Sequence, residues 1–298
     1  MSAGRILIAL AALGAAGAAG FWAATAPRPL PDDAFAGLEG DAGQGETVFW
    51  AAGCASCHAA EGAEGDDWLV LSGGRRFDSP FGTFVAPNIS TDPEQGIGDW
   101  TLPQFANAML RGVSPDGAHY YPAFPYASYV RADLQDVADL KAFMDTLPAA
   151  PDANAPHELP FPFTVRRGIG IWKMLNLDEE WIVTGDLDTH EERGRYLSEA
   201  LAHCGECHTP RNAFGGLETT QWLAGAPNPA GDGTIPDITP ASLDWSEREI
   251  AGYLMTGFTP QFDSAGGSMA DVVHSLSHLE DEDREAIAAY LKRVAPAP

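Results

Sequence analysis

Apolar residues run without a charge from Ile6 to Ala26, and Thr25 is the only polar residue among those 21 positions. A bilayer-spanning helix needs about 20 apolar residues, so this run predicts a membrane-crossing helix. Pro27, Pro29 and Pro31 follow it and cannot continue a helix. Further along, the spacing of apolar positions changes to the helical 3.6-residue period. Phe105, Met109 and Leu110 lie between Thr101 and Gly112, and Ile250, Leu254 and Met255 lie between Ser246 and Gly257. Thr and Ser suit a helix N-cap and Gly suits its C-terminal stop, so both segments predict amphipathic helices with a core face, Met255 included. Helical patterns also cover Leu134 to Leu147 and Glu280 to Val294, with a connecting helix from Arg166 to Leu177 either packed across two domains or lying on the surface. Strand-like alternation is scarce, and the fold class is mainly α.

The same signals occur twice. Cys54 precedes Pro87 by 33 residues and Cys204 precedes Pro236 by 32, with Pro-Asn-Ile-Ser at 87–90 answering Pro-Asp-Ile-Thr at 236–239. Trp100 precedes Gly112, and Trp245 precedes Gly257, by 12 residues in each case. Such a match predicts two tandem copies of one unit. Five prolines between Pro148 and Pro162 interrupt any regular element and mark the division. The chain therefore reads as an anchor or signal over 1–26, a Pro-rich spacer over 27–37, a first domain over 38–150, a connecting segment over 151–185 and a second domain over 186–298.

A formal charge of −25, from 17 basic and 42 acidic residues, makes nucleic acid an improbable partner and favours docking to basic surfaces. At the N-terminus, the length of the apolar run favours an uncleaved anchor, whereas Ala24-Thr25-Ala26 matches a signal-cleavage pattern. Both alternatives export the body. Arg5 before the run and an acidic domain after it orient a retained anchor with its N-terminus inside.

The four cysteines form two motifs, Cys54-Ala-Ser-Cys57-His58 and Cys204-Gly-Glu-Cys207-His208, leaving none for a disulfide between domains. Cys-x-x-Cys-His is the attachment signature of haem c. Two thiols one helical turn apart can join the two vinyl groups of one porphyrin, and the adjacent His then becomes the fifth iron ligand. A zinc site would leave both histidines unexplained, and a thioredoxin-like pair would need a βαβ pattern that is missing. The expectation is two covalently bound haem c groups, with His58 and His208 as axial ligands.

For the sixth ligand, Met269 stands 12 residues after Gly257 and is the candidate in the second half; Met255, His274 and His278 are alternatives. The same count from Gly112 lands on Phe124, which cannot bind iron. His119 is then favoured and Met109 is next; Met144 or an open site are the other options. Pro87 and Pro236 are placed to accept Nδ1–H of His58 and His208, while Trp100, Trp245, Arg75, Arg76 and Arg211 could meet haem propionates or serve core and surface. His157, His190 and His203 read as non-ligands.

With these motifs, and with Gly96-Ile-Gly-Asp-Trp100, Gly112-Val-Ser-Pro-Asp-Gly117, Tyr121-Pro-Ala-Phe-Pro-Tyr126, His157-Glu-Leu-Pro-Phe161 and Gly267-Ser-Met269, the chain resembles the cytochrome c subunits of membrane-bound bacterial alcohol, gluconate and molybdenum-hydroxylase dehydrogenases. The resemblance implies two tandem class I cytochrome c domains after one N-terminal transmembrane helix. It also implies a single span in the inner membrane, haem domains in the periplasm, and electron flow from a dehydrogenase subunit to a cytochrome, a quinone-linked complex or a terminal oxidase. It supports Cys54, Cys57, His58, Cys204, Cys207, His208 and Met269, with no catalytic residues beyond the haems. Many such subunits carry a third haem domain, expected to be absent here, and Met where this chain has Phe124. The alternatives are a di-haem enzyme of the peroxidase or thiosulfate dehydrogenase type, reacting at the first haem, and a haem-based sensor.

Overall fold

In the computed structural model, residues 3–229, 231 and 233–296 are described, so the outer limits of the expected first and last segments, 1 and 298, lie outside the described residues. The apolar run forms α1, Ala3–Ala24, with no buried residue along its 22 positions. It is long and apolar enough to cross a membrane, and the chain turns off it at Thr25.

Two helical units follow in the same element order. The first contains α2 (Ala42–Ala51), α3 (Cys54–His58), the antiparallel hairpin β1–β2 (Arg76–Ser79 and Gly82–Val85), α4 (Leu102–Arg111), α5 (Tyr126–Tyr129) and α6 (Leu134–Met144). An irregular segment and a 3-10 turn, Arg166–Gly168, then lead into α7 (Ile169–Asn176). The second contains α8 (Thr189–Arg195), which continues as a π-helical turn over Tyr196–Leu201, then α9 (Gly205–His208), the short hairpin β3–β4 (Ala226–Pro227 and Thr234–Ile235), α10 (Glu247–Thr256), α11 (Ser268–Leu276) and α12 (Asp281–Leu291).

Each unit is closed by its first helix crossing its last at a glycine. A Cβ on Gly45 of α2 would run into the Asp139 carbonyl of α6, and one on Gly194 of α8 would run into the Ala286 carbonyl of α12. The central helices begin and end as their sequences predict. Thr101 with Gln104, and Ser246 with Glu249, form capping boxes, and Gly112 and Gly257 stop α4 and α10 at positive φ. Met255 departs from expectation: it is exposed, because it lines a concavity with Phe258, Ala265, Val273 and His274 instead of packing into the core.

The two units pack reciprocally. The distal helix α11 of the second lies on α3 and α2 of the first, while α5 of the first lies on the π-helical turn of the second. One continuous cluster of buried apolar side chains runs through both. The connecting segment is tied to the second unit by the buried Glu199. Its carboxylate accepts from the Ile182 and Val183 amides at 2.7 and 2.9 Å and from the Tyr290 hydroxyl at 2.7 Å.

Candidate functional site

The two Cys-x-x-Cys-His segments fold alike because both follow a tightly packed helix and leave it at a residue of positive φ, Gly53 in one and His203 in the other. In each, the first Cys is half-buried, the second exposed and the His half-buried, while the residue between them that a side chain would crowd is small: Ala55 or Gly205. A Cβ on Gly205 would collide with the Trp222 ring. All four thiols are free. Desolvation by the surrounding protein pushes the free thiols of Cys54 and Cys204 up to about 12, and raises Cys57 and Cys207 too although their side chains reach the surface. Among the described residues no three His, Cys, Asp or Glu side chains converge as a metal cage.

Each motif histidine is oriented by a proline carbonyl. His58 Nδ1 lies 2.8 Å from the Pro87 oxygen and His208 Nδ1 lies 2.8 Å from the Pro236 oxygen, as the spacing predicted. A carbonyl can only accept, so the ring proton resides on Nδ1 and Nε2 keeps its lone pair. Burial, outweighing that hydrogen bond, lowers both histidines below their ordinary pKa and keeps them neutral. Paired thiols one turn apart beside a neutral histidine whose Nε2 keeps its lone pair suit a porphyrin with an iron.

Each motif also meets the distal helix of the opposite unit across the contact between units. Arg75 Nη2 donates to Asp271 at 2.8 Å, and its Nη1 donates to the Ser56 carbonyl inside the first motif. Ser56 and Ser275 hydroxyls are 3.1 Å apart. On the reciprocal side, Arg211 grips the carbonyl and carboxylate of Glu206, the residue that matches Ser56, and the Ser128 hydroxyl reaches that carboxylate at 3.3 Å. Tyr129 donates to the Ala52 carbonyl at 3.0 Å and meets the His203 ring edge-on. Arg75 and Arg211 are thus committed to holding the motifs, and Arg76 pairs with Glu158 on the surface. Asp271, Ser275, Ser128 and Tyr129 carried no chemical signature in the sequence; the internal repeat, extended past Gly112 and Gly257 so that α5 and α11 become counterparts, is the signal that could have found them.

The remaining candidates fall as follows. Met269 lies at the start of α11, partly buried against the core. Phe124, its counterpart, packs in the same way. His119 is buried; its Nε2 lies 2.8 Å from the Thr25 carbonyl at the exit of α1, and its Nδ1 has no hydrogen-bond partner. The expectation of His119 as an axial ligand took no account of this contact, which commits Nε2 to the end of the membrane helix. Met109 and Met144 are core residues, and Leu254, the counterpart of Met109, is likewise buried. Trp100 and Trp245 are half-buried against the core. His274 stacks on Trp68 and His278 on Trp50, both across the contact between units. His157 Nδ1 accepts from the Val85 amide at 3.1 Å.

The cytochrome c family model matches residues 42–148 and 192–295. A diheme cytochrome c-type protein of Cereibacter sphaeroides is 60% identical over 294 residues, covering 99% of this chain and 97% of its own length. The fructose dehydrogenase cytochrome subunit of Gluconobacter japonicus is 40% identical over 84% of this chain and 52% of its own length. The gluconate 2-dehydrogenase cytochrome c subunit of Pantoea cypripedii is 34% identical over 84% of this chain and 58% of its own length. The chain thus spans little more than half of either dehydrogenase subunit.

Proposed function

The chain belongs to the cytochrome c family, and from that premise we propose that it is a membrane-anchored relay, facing the periplasm, that takes electrons from a dehydrogenase partner and hands them to a respiratory acceptor. It carries two covalently bound haem c groups and is an electron-transfer protein rather than a catalyst. Cys54 and Cys57 hold one haem and Cys204 and Cys207 the other, with His58 and His208 as axial ligands and Met269 as the sixth ligand in the second unit. When bound, each haem supplies an iron that gains and loses one electron.

The protein's own residues set the conditions. Pro87 and Pro236 hold the proton on Nδ1 of each histidine, which keeps Nε2 available and the ring fixed. Arg75 and Arg211 pin the two attachment turns, and Asp271, Ser275 and Ser128 lock each turn to the opposite unit. The observation that carries the reading is this mutual clamping of the two motifs, which keeps two redox centres side by side without a mobile hinge. In the first unit the position that matches Met269 is Phe124, which has no donor atom; among the described candidates His119 has its Nε2 on the Thr25 carbonyl, and Met109 corresponds to a buried leucine.

Retention of α1 as the anchor is supported by its length and by the burial of Thr25, which lies within the cleavage-like pattern at 1% exposure. Arg5 in the first turn of α1, ahead of its apolar run, and the acidic body after the helix favour export of the body. Film voltammetry of the full-length protein tests the function. Two reversible one-electron couples, with no catalytic current on adding hydrogen peroxide or thiosulfate, are expected; a catalytic wave with either would make it an enzyme.

A further inference from the structure

The helix α7 is built inside out. Lys173 points inward, its Nζ donating to the Arg111 and Gly112 carbonyls at 2.5 and 2.7 Å, and Trp172 Nε1 donates to the Phe214 carbonyl at 3.0 Å. Asn176 is turned toward the body as well. Ile171, Met174 and Leu175, spaced three and four residues apart on one face, are left outside, with Met174 at 62% and Leu175 at 72% exposure. The approach to the helix repeats the pattern, since Phe161, Phe163 and Val165 are all exposed, Phe161 at 82%. A soluble surface helix shows the reverse arrangement, and six large apolar side chains exposed over fifteen residues mark a contact surface.

Its position says with what. Arg167 Nε donates to the Thr25 hydroxyl at 3.0 Å and its Nη2 to the Trp22 carbonyl, with the guanidinium 4.2 Å over the Trp22 ring. A Cβ on Gly170 would lie only 2.6 Å from the Thr25 carbonyl oxygen, so α7 touches the end of α1 directly. The 22 residues of α1 span about 33 Å, against roughly 30 Å of bilayer hydrocarbon, which sets Trp22 and Thr25 at the lipid–water boundary. Whatever packs on Thr25 shares that level. Residues 159–177 contain Arg166, Arg167 and Lys173 but no acidic residue, in a chain whose net charge is −25.

We propose that residues 161–175 form an interfacial foot, whose Phe161, Phe163, Val165, Ile171, Met174 and Leu175 enter the headgroup–acyl boundary of the membrane beside α1. The foot rests on the reading of α1 as a bilayer span. Together with the Arg167 and Gly170 contacts it fixes the tilt of both haem units relative to the membrane, instead of leaving them on a flexible tether.

The test is photo-crosslinking of the full-length haem-loaded protein in nanodiscs of phosphatidylcholine and phosphatidylglycerol, with a fraction of the phosphatidylcholine carrying a diazirine on its acyl chain, read by peptide mass mapping. Lipid adducts are expected on α1 and on residues 161–175. A Met174→Glu/Leu175→Glu double variant should keep its α1 adducts and haem spectrum and lose those on 161–175. Adducts confined to α1 in the unmodified protein overturn the foot while leaving the anchor intact, and give this face to a protein partner. Absence of adducts on α1 as well overturns the anchor and the foot together.

Discussion

Arg75 of the first unit and Asp271 of the second form an ion pair at 2.8 Å, and the same guanidinium holds the Ser56 carbonyl within the first attachment motif. Neither side chain is fully exposed, so the pair is screened less than a surface ion pair. Arg75→Ala removes both links and is expected to cost about 1–3 kcal/mol, because a carbonyl and a carboxylate each lose a charged donor. Asp271→Asn keeps a weaker acceptor and is expected to cost about 1 kcal/mol or less. Thermal unfolding followed in the haem absorption checks the order of the two; equal effects would mean that the Ser56 link contributes nothing.

The glycines at the two helix crossings make a matched pair of predictions. Gly45→Ala and Gly194→Ala each force a methyl into an opposing backbone carbonyl, which overpacking data place at about 1–3 kcal/mol or more. Each is expected to lower the unfolding midpoint and the yield of haem-loaded protein. An unchanged midpoint in either would show that the helices there can separate at no cost.

The junction between α1 and the first unit is expected to weaken in acid. Burial, opposed by the hydrogen bond to Thr25, lowers the pKa of His119, while the same ring in the unfolded chain takes up a proton near pH 6.5. Below that pH the unfolded chain binds more protons than the folded one, so the stability from neutral His119 is complete above about pH 6.5 and is lost as the pH falls from there through the folded pKa. Compared with His119→Gln, which keeps a donor for the Thr25 carbonyl but does not titrate, the unmodified protein should hold a constant midpoint advantage above pH 7 that shrinks below about pH 6. A difference independent of pH would contradict this.

The proposed sixth coordination, Met269 at one haem and Phe124 at the matching position of the other, distinguishes the two. The dithionite-reduced protein is expected to bind carbon monoxide at one haem of the two, Phe124→Met to abolish that binding by supplying a thioether, and Met269→Ala to add binding at the second haem. Visible difference spectra normalised to haem content decide the matter; carbon monoxide binding to neither haem in the unmodified protein would mean that a side chain does ligate the first iron.

Much of this was legible in the sequence, for identifiable reasons. Capping and stop residues act locally, so Thr101, Gly112, Ser246 and Gly257 announced α4 and α10 directly. Covalent attachment ties cysteine and histidine to a rigid spacing, which made both motifs plain, and the repeat carried Pro87 and Pro236 to their roles. What stayed hidden depends on how the units meet. His119 looked like a ligand because its loop position was right, but its ring direction is set by Thr25, 94 positions away. Met255 fitted the apolar period of α10, yet it lines a concavity between α10, the following loop and α11 instead of the core. The exposed face of α7 was invisible as well, since a helical period states which residues share a side and leaves open which side faces the body.

The most direct test of the central claim is a haem count on the purified full-length protein after denaturation. Pyridine haemochrome absorbance, combined with the intact mass, should give two haem c groups per chain that survive acid-acetone extraction, falling to one in the Cys54→Ala/Cys57→Ala variant and to one in the Cys204→Ala/Cys207→Ala variant. Haem that extracts, or a single group per chain in the unmodified protein, would contradict the account of two clamped redox centres.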